Sequence, residues 1–94
     1  MPGNCELCER EVPATTTHHL YPVSKGRKKG LRPFQLPTAD LCPDCHKQIH
    51  VLYPNRLLAE RLTSVDALKR ESEMERFLQW LRKQPGDRRI RVRS

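Results

Sequence analysis

The chain has 94 residues, of which 36% are hydrophobic and 31% charged, and its formal net charge is +7 at pH 7. So short a chain forms one domain with a limited core, and an additional cross-link is expected to stabilise it. The positive charge favours a polyanionic partner, either nucleic acid or an anionic membrane surface. The absence of a long apolar run excludes a membrane-spanning helix.

The four cysteines form two C-x-x-C pairs, Cys5 with Cys8 and Cys42 with Cys45. The first residues lack the basic start and apolar core of a secretory signal, so a cytoplasmic protein with reduced thiols is expected. In that compartment paired cysteines bind metal more often than they form disulfides. We therefore predict one structural Zn²⁺ bound by all four thiolates, with free thiols or two disulfides as the alternatives.

The segment between the cysteine pairs predicts a β-hairpin. Residues 17–23 alternate approximately between two faces and contain β-branched and aromatic side chains, as a strand does. Residues 24–30 form a basic run with two glycines, which indicates a turn. The return over residues 31–37 contains Pro33 and Pro37, so an edge strand or an irregular segment is expected there.

The second cysteine pair is followed by a predicted helix. Pro43 suits the first helical turn, and Asp44 complements the positive helix N-terminus. His46 and His50 are four residues apart and therefore lie on one helix face, while Ile49 faces elsewhere and can pack inward. Two imidazoles at this spacing suit a metal ion, but they are equally consistent with a pair of solvated side chains.

The C-terminal half is predicted to be helical. Asn55 is positioned to cap one helix, and Ser72 with Glu75 forms a capping-box pattern for another that ends at Pro85–Gly86. The apolar stripe of this second helix consists of Met74, Phe77, Leu78 and Leu81, with Trp80 beside it. We expect residues 1–54 to form the core and residues 55–94 to form a helical extension with a basic tail, within one compact domain.

In chain order the pattern is C-x-x-C, the adjacent pair His18–His19, a hairpin return, and C-x-x-C-H-x-x-x-H. This order resembles the HNH nuclease family, also called the ββα-metal nucleases, in its zinc-containing form, over residues 5–50. The resemblance implies an α+β fold, a small zinc-stabilised ββα-metal domain with additional C-terminal helices. It also implies that His18, His46 and His50 bind one catalytic divalent metal, which would be Mg²⁺, Mn²⁺, Ni²⁺ or Zn²⁺. His19 would be the general base that activates water.

The chain departs from the family pattern at one position. The loop residue that is usually Asn, which braces the hairpin, is Pro37 here. Gln35, Thr38 or a backbone carbonyl would have to replace it.

The implied function is an endonuclease that hydrolyses DNA phosphodiester bonds, nicking with little sequence specificity, and RNA is the alternative nucleic acid. The chain offers no recognisable recognition helix, and aromatic residues are only 5% of it. The residues expected to contact phosphate are Lys25, Arg27, Lys28, Lys29 and Arg32 near the hairpin turn, and Arg89, Arg91 and Arg93 in the tail. Arg82, Lys83 and Arg88 belong to the same tail group.

Two other functions are consistent with the sequence. One is a catalytically inactive zinc module that binds DNA or RNA, for which the missing Asn is the main argument. The other is an adaptor whose Leu/Trp helix docks a partner protein. Cleavage of plasmid DNA with an added divalent metal separates the nuclease from both.

Overall fold

The N-terminal knuckle is a short antiparallel pair, β1 (Gly3–Asn4) with β2 (Glu11–Val12), in a computed structural model that describes residues 3–85. The tight loop between these strands carries the first cysteine pair. Glu9 has a left-handed φ of 65° and donates its N–H to the carbonyl of Cys5 at 2.9 Å. The loop thus folds back on itself and turns both cysteines inward.

A second antiparallel pair joins β3 (Thr16–His19) to β4 (Thr38–Leu41), and helix α2 (Pro43–Leu52) follows at once. His18 lies opposite Ala39. Along β4 burial alternates, because one face of the pair packs on the core and the other meets solvent. A strand pair is thus followed by a helix, and the predicted α+β class is confirmed.

The loop between these strands differs from the predicted hairpin turn. Residues 24–30 do not form a tight turn, because α1 occupies Val23–Lys28. Lysine and arginine have good helix propensity, which the turn interpretation neglected. Gly26 permits the close packing of this helix, since a Cβ there would lie 3.0 Å from the Cδ2 atom of Leu36.

Of the two expectations for residues 31–37, the irregular segment is confirmed and the edge strand is wrong. A 3₁₀ turn occupies Pro33–Gln35, and the strand begins only after Pro37. The first strand is correspondingly shorter than predicted, because β3 ends at His19. Proline cannot donate to a strand ladder, so pairing resumes where the prolines end.

Helices α3 (Asn55–Arg61), α4 (Val65–Arg70) and α5 (Ser72–Leu81) complete the described chain. The predicted caps of α3 and α5 are wrong. Asn55 and Ser72 are the first helical residues, and no side-chain cap hydrogen bond forms at either start.

Helix α4 was not predicted, although its cap is visible in the sequence. The Ser64 hydroxyl accepts the N–H of Ala67 at 3.0 Å. The helix has only six residues, too few for an apolar stripe to become evident.

One buried core connects the knuckle, the paired strands and the C-terminal helices. The predicted stripe on α5 is confirmed, since Met74, Leu78 and Leu81 are at most 2% exposed and Phe77 packs at the edge. Trp80 remains 46% exposed. The core residues with no more than 1% exposure include Leu7, Leu41, Ile49, Leu58, Leu62 and Leu68.

Within residues 3–85, no helix has both the length and the apolar character needed to cross a membrane.

Two candidate metal centres

The four cysteines meet in one buried cluster, as predicted. Cys5 and Cys8 come from the β1–β2 loop, while Cys42 is the N-cap residue of α2 and Cys45 lies in its first turn. Each is at most 1% exposed, and their sulfur atoms lie within 4.8 Å of one another. The Sγ atoms of Cys8 and Cys42 are 3.8 Å apart. Tetrahedral bonds of about 2.3 Å give a sulfur–sulfur separation of about 3.8 Å, so the cluster has the donor set of a structural metal such as zinc.

Hydrogen-bond donors surround these sulfurs. The N–H of Cys8 donates to Cys5 Sγ, and the N–H of Cys45 donates to Cys42 Sγ, each at 3.4 Å. The Arg10 guanidinium donates through Nε to Cys8 Sγ at 3.2 Å and through Nη2 to Cys42 Sγ at 3.4 Å. Hydrogen bonds from Cys42, the other cluster cysteines and Arg10 hold the pKa of the Cys8 thiol well below its ordinary value. The surroundings therefore favour the thiolate at Cys8, the form that binds metal.

Arg10 also connects the cysteine cluster to the C-terminal helix. Its side chain is only 8% exposed and lies 3.6 Å from the carboxylate of Asp44. Its Nη1 atom donates to the carbonyls of Gln84 at 3.4 Å and Pro85 at 3.1 Å, just beyond α5. One cation thus bridges the sulfurs and the end of the helical extension.

Arg82 has a structural contact that sequence reasoning missed. Its charge places it in the tail group that is expected to contact phosphate, but its guanidinium donates to the carbonyls of Leu7 at 3.3 Å and Cys8 at 3.4 Å. It therefore fastens the end of α5 to the first knuckle.

Three of the four histidines form a second cluster. His18 comes from β3, and His46 and His50 come from one face of α2, so that their ligand nitrogens lie within 4.8 Å of one another. The ring centroids are 5.1, 5.4 and 5.2 Å apart. Strand pairing and the four-residue helical repeat together bring these imidazoles to one point, which we call the histidine trio.

The buried member of the trio is held in its metal-binding form. His18 is 2% exposed, and its Nε2 atom has no hydrogen-bond partner among the described residues. Burial, followed by the charges of the neighbouring histidines, lowers the pKa of His18 to about 4. A buried nitrogen without a partner is costly, and a neutral imidazole is a metal ligand. The trio therefore fits a divalent ion, and three imidazoles leave further coordination positions open.

Thr16 orients one member of the trio. Its Oγ1 atom lies 2.7 Å from Nδ1 of His46 and 3.2 Å from the carbonyl oxygen of Leu41. A hydroxyl has one proton, and the carbonyl can only accept, so the hydroxyl donates to Leu41 and accepts the Nδ1–H of His46. This leaves Nε2 of His46 unprotonated and available to a metal. Thr16 precedes His18 by two residues. Because side chains two apart in a strand lie on the same face, the sequence contained a signal that Thr16 lies beside the histidines.

His19 lies outside the trio but beside it. It is half-buried at the last position of β3 and lines the same cavity of about 320 Å³ as the three trio histidines. The strand ends here, so both neighbouring imidazoles reach one cavity despite the alternation of a regular strand.

The loop that carries the replaced Asn is closed by the backbone. The carbonyl of Pro37 accepts the N–H of Leu20 at 2.8 Å, directly after His19. The side chain of Gln35 instead accepts the N–H of Arg32 at 2.8 Å within the 3₁₀ turn. Of the replacements considered, a backbone carbonyl makes the contact nearest to His19.

The first predicted basic group lies beside this cavity. The first residues of α1, Val23 and Ser24, line the cavity wall. The same helix carries three of the cations, and two more follow it. Lys25 is half-buried, whereas the exposed members are Arg27, Lys28, Lys29 and Arg32. Arg89, Arg91 and Arg93 lie outside the described residues.

We expect about one tightly bound zinc per chain at the cysteine cluster, and unfolding when a strong chelator removes it, because metal binding and folding are coupled in so small a domain. Elemental analysis with circular dichroism before and after chelation measures both. A variant with alanine at both His46 and His50 lacks the histidine cluster, so its metal content reports the cysteine cluster alone. Folded protein without metal would contradict the prediction.

We expect Arg10→Ala to weaken zinc retention by about 10- to 100-fold, because it removes the two N–H···S hydrogen bonds to the sulfurs of Cys8 and Cys42. Competition with a chromogenic chelator measures the change. Asp44→Ala is the matched control, because it removes the ion pair but leaves the sulfur contacts. An equal effect of both variants would assign the role to the ion pair.

We expect Thr16→Val to lower metal affinity at the histidine trio by about 10- to 100-fold, while Thr16→Ser retains it, because only serine keeps the hydroxyl. Calorimetric titration of zinc-loaded protein with Ni²⁺ or Mn²⁺ gives the affinities. Unchanged binding by the valine variant would show that the hydroxyl does not orient His46.

No family model matches the chain, and no solved structure matches it. Among curated proteins, it is 45% identical over 92 residues to the uncharacterized protein YisB of Bacillus subtilis (strain 168). The match covers 98% of this chain and 86% of YisB. At this identity and coverage, the chain belongs to the same family as YisB.

Proposed function

We propose that this protein is a metal-dependent endonuclease of the ββα-metal (HNH) type that hydrolyses phosphodiester bonds in DNA. The observation that carries the proposal is the separation of two neighbouring histidines. His18 is the buried member of the trio, while His19 lies on the wall of the same cavity outside the group of three. A ligand and a general base must be close to each other and yet not compete for one ion.

The residues that would hold the catalytic metal are His18, His46 and His50. When bound, a divalent ion supplies stabilisation of negative charge on the phosphate and on the departing 3′ oxygen. Three imidazoles are donors that suit zinc or nickel better than magnesium, which prefers oxygen ligands. Among the expected metals we therefore favour Zn²⁺ and Ni²⁺.

His19 would act on water. Its imidazole is only partly buried, so it remains accessible to the solvent in the cavity. A neutral imidazole can accept a proton from water as the water oxygen attacks phosphorus. The cavity of about 320 Å³ has room for a phosphodiester group beside the histidines. The products would carry a 5′ phosphate and a 3′ hydroxyl.

Substrate binding would be electrostatic. Helix α1 starts at the cavity wall and presents cations along its length, so a strand that contacts them passes close to His19. Contacts of this kind are to phosphates and carry no base identity. We therefore propose nicking with little sequence specificity, DNA as the principal partner, and loss of affinity at high salt.

A catalytically inactive module that binds nucleic acid is the second candidate. Pro37 in the loop position that usually holds Asn favours it. Against it, the carbonyl of Pro37 still makes a 2.8 Å hydrogen bond next to His19.

We expect His19→Ala to reduce nicking of supercoiled plasmid by about 10²- to 10⁴-fold while metal affinity at the trio is retained, because a base and not a ligand is lost. His18→Ala should lose metal affinity, and added metal should partly rescue its cleavage. Nicking rates with Mg²⁺, Mn²⁺, Ni²⁺ and Zn²⁺, together with calorimetric titration, separate the two defects.

Thr17→Ala is the matched control, since Thr17 also lies on the cavity wall but carries no imidazole. It should behave like the wild-type protein. Equal loss of metal affinity in both histidine variants would make His19 a ligand. Salt-dependent DNA binding by a wild-type protein that does not cleave with any of the four metals would establish the inactive module instead.

A further inference from the structure

The segment between the two strands of the site carries an exposed aromatic residue. Phe34 is 81% exposed, compared with 39% for Leu31 and 46% for Trp80, the other exposed large hydrophobic residues of the described chain. An isolated exposed apolar side chain is common. The environment of Phe34 is what makes it unusual.

The turn that presents Phe34 is internally braced. The N–H of Arg32 donates to Oε1 of Gln35 at 2.8 Å, and the N–H of Gln35 donates to the carbonyl of Arg32 at 2.9 Å. The N–H of Leu36 donates to the carbonyl of Pro33 at 3.1 Å. Pro33 in addition restricts φ at the start of the turn. Phe34 is thus presented by an ordered turn, which lowers the entropic cost of binding through it.

The same turn is clamped onto the basic helix. Leu36 is 7% exposed and packs so closely on α1 that a Cβ at Gly26 would lie 3.0 Å from its Cδ2 atom. The N–H of Leu31 donates to the carbonyl of Gly26 at 2.8 Å. Phe34 therefore holds a defined position relative to α1, whose other end lines the histidine cavity.

The charged residues of the segment that contains Phe34 all have one sign. Between Glu11 and Asp40 the chain contains five lysine and arginine residues and no acidic residue. Among the described residues, none of these five cations lies within salt-bridge distance of a carboxylate. A charged surface that only meets solvent ordinarily contains both positive and negative side chains. Cations beside an exposed aromatic ring are the combination that single-stranded nucleic acid binds.

We propose that Phe34 stacks on an unpaired base of the DNA substrate while the cations of α1 hold the flanking phosphates. The inference rests on the proposed function and specifies the substrate as DNA with unpaired nucleotides near the cleaved bond. In an intact duplex the base faces are stacked on one another and do not meet the ring. A base–aromatic stack requires only a π face, so it selects for structure and not for sequence.

The test is binding of a fluorescent duplex that contains a short unpaired bubble, compared with the fully paired duplex of the same length, by zinc-loaded protein without added divalent ion. Phe34→Ala should weaken bubble binding by about 5- to 150-fold, which corresponds to the loss of one stacked base. Binding of the paired duplex should change less than about twofold, because phosphate contacts remain.

Two further variants complete the comparison. Phe34→Trp should retain bubble binding, because its ring also stacks. Trp80→Ala is the matched control, since Trp80 is an exposed aromatic residue on α5, away from the basic segment. It should leave both affinities unchanged.

Equal affinity of Phe34→Ala and wild-type protein for the bubble would overturn the inference, as would an equal loss on both substrates. Sedimentation that shows self-association abolished by Phe34→Ala would also overturn it and assign the residue to contact between copies. The proposed function fails separately. If the wild-type protein prefers the bubble through Phe34 but never nicks it, the stacking site is supported and the nuclease proposal fails. If it nicks DNA without this preference, the nuclease proposal is supported and the stacking site fails.

Discussion

Helix α2 and its N-cap residue carry members of both clusters, and the rest of the candidate site depends on that constraint. Cys42 and Cys45 belong to the cysteine cluster, while His46 and His50 belong to the histidine trio. Consecutive residues on a helix point about 100° apart, so Cys45 and His46 face different sides. A metal bound by the cysteines fixes where the helix begins, and thereby fixes the positions of two imidazoles.

The third imidazole reaches the trio through strand pairing. Residue His18 lies opposite Ala39, and β4 runs directly into α2, so the two strands place His18 over the helix face that carries the other two histidines. The pairing also brings Thr16 to Leu41 and to His46. A shift of one residue in this register would turn His18 and Thr16 to the opposite face of the strand pair. The register of four residue pairs therefore determines the geometry of the histidine trio.

Local spacing predicted the ligands but not the path between them. The C-x-x-C pairs and the four-residue histidine spacing are short-range patterns whose geometry follows from a knuckle or a helical turn. Helix α1 depends on a tertiary contact instead, the packing of Leu36 against Gly26, and glycines in a basic run suggested a turn when taken alone. The same limit explains Arg10 and Arg82, whose backbone carbonyl partners lie more than 70 residues away in the chain. Asn55 does not cap α3, because it is the first helical residue and Pro54 occupies the N-cap position.

The insertion between β3 and β4 is separate from the two clusters, and under the proposed function it would carry the substrate contacts. It begins after His19, carries five cations and no acidic residue, and returns at Pro37. The remaining described chain carries ten acidic residues, half of them on or beside α3, α4 and α5. Under the proposed function, a polyanionic substrate would therefore be attracted to the side of the molecule where the insertion meets the cavity. No cysteine or histidine of the two clusters lies in the insertion. Changes in its charge would then alter nucleic-acid binding and leave the geometry of both clusters unchanged.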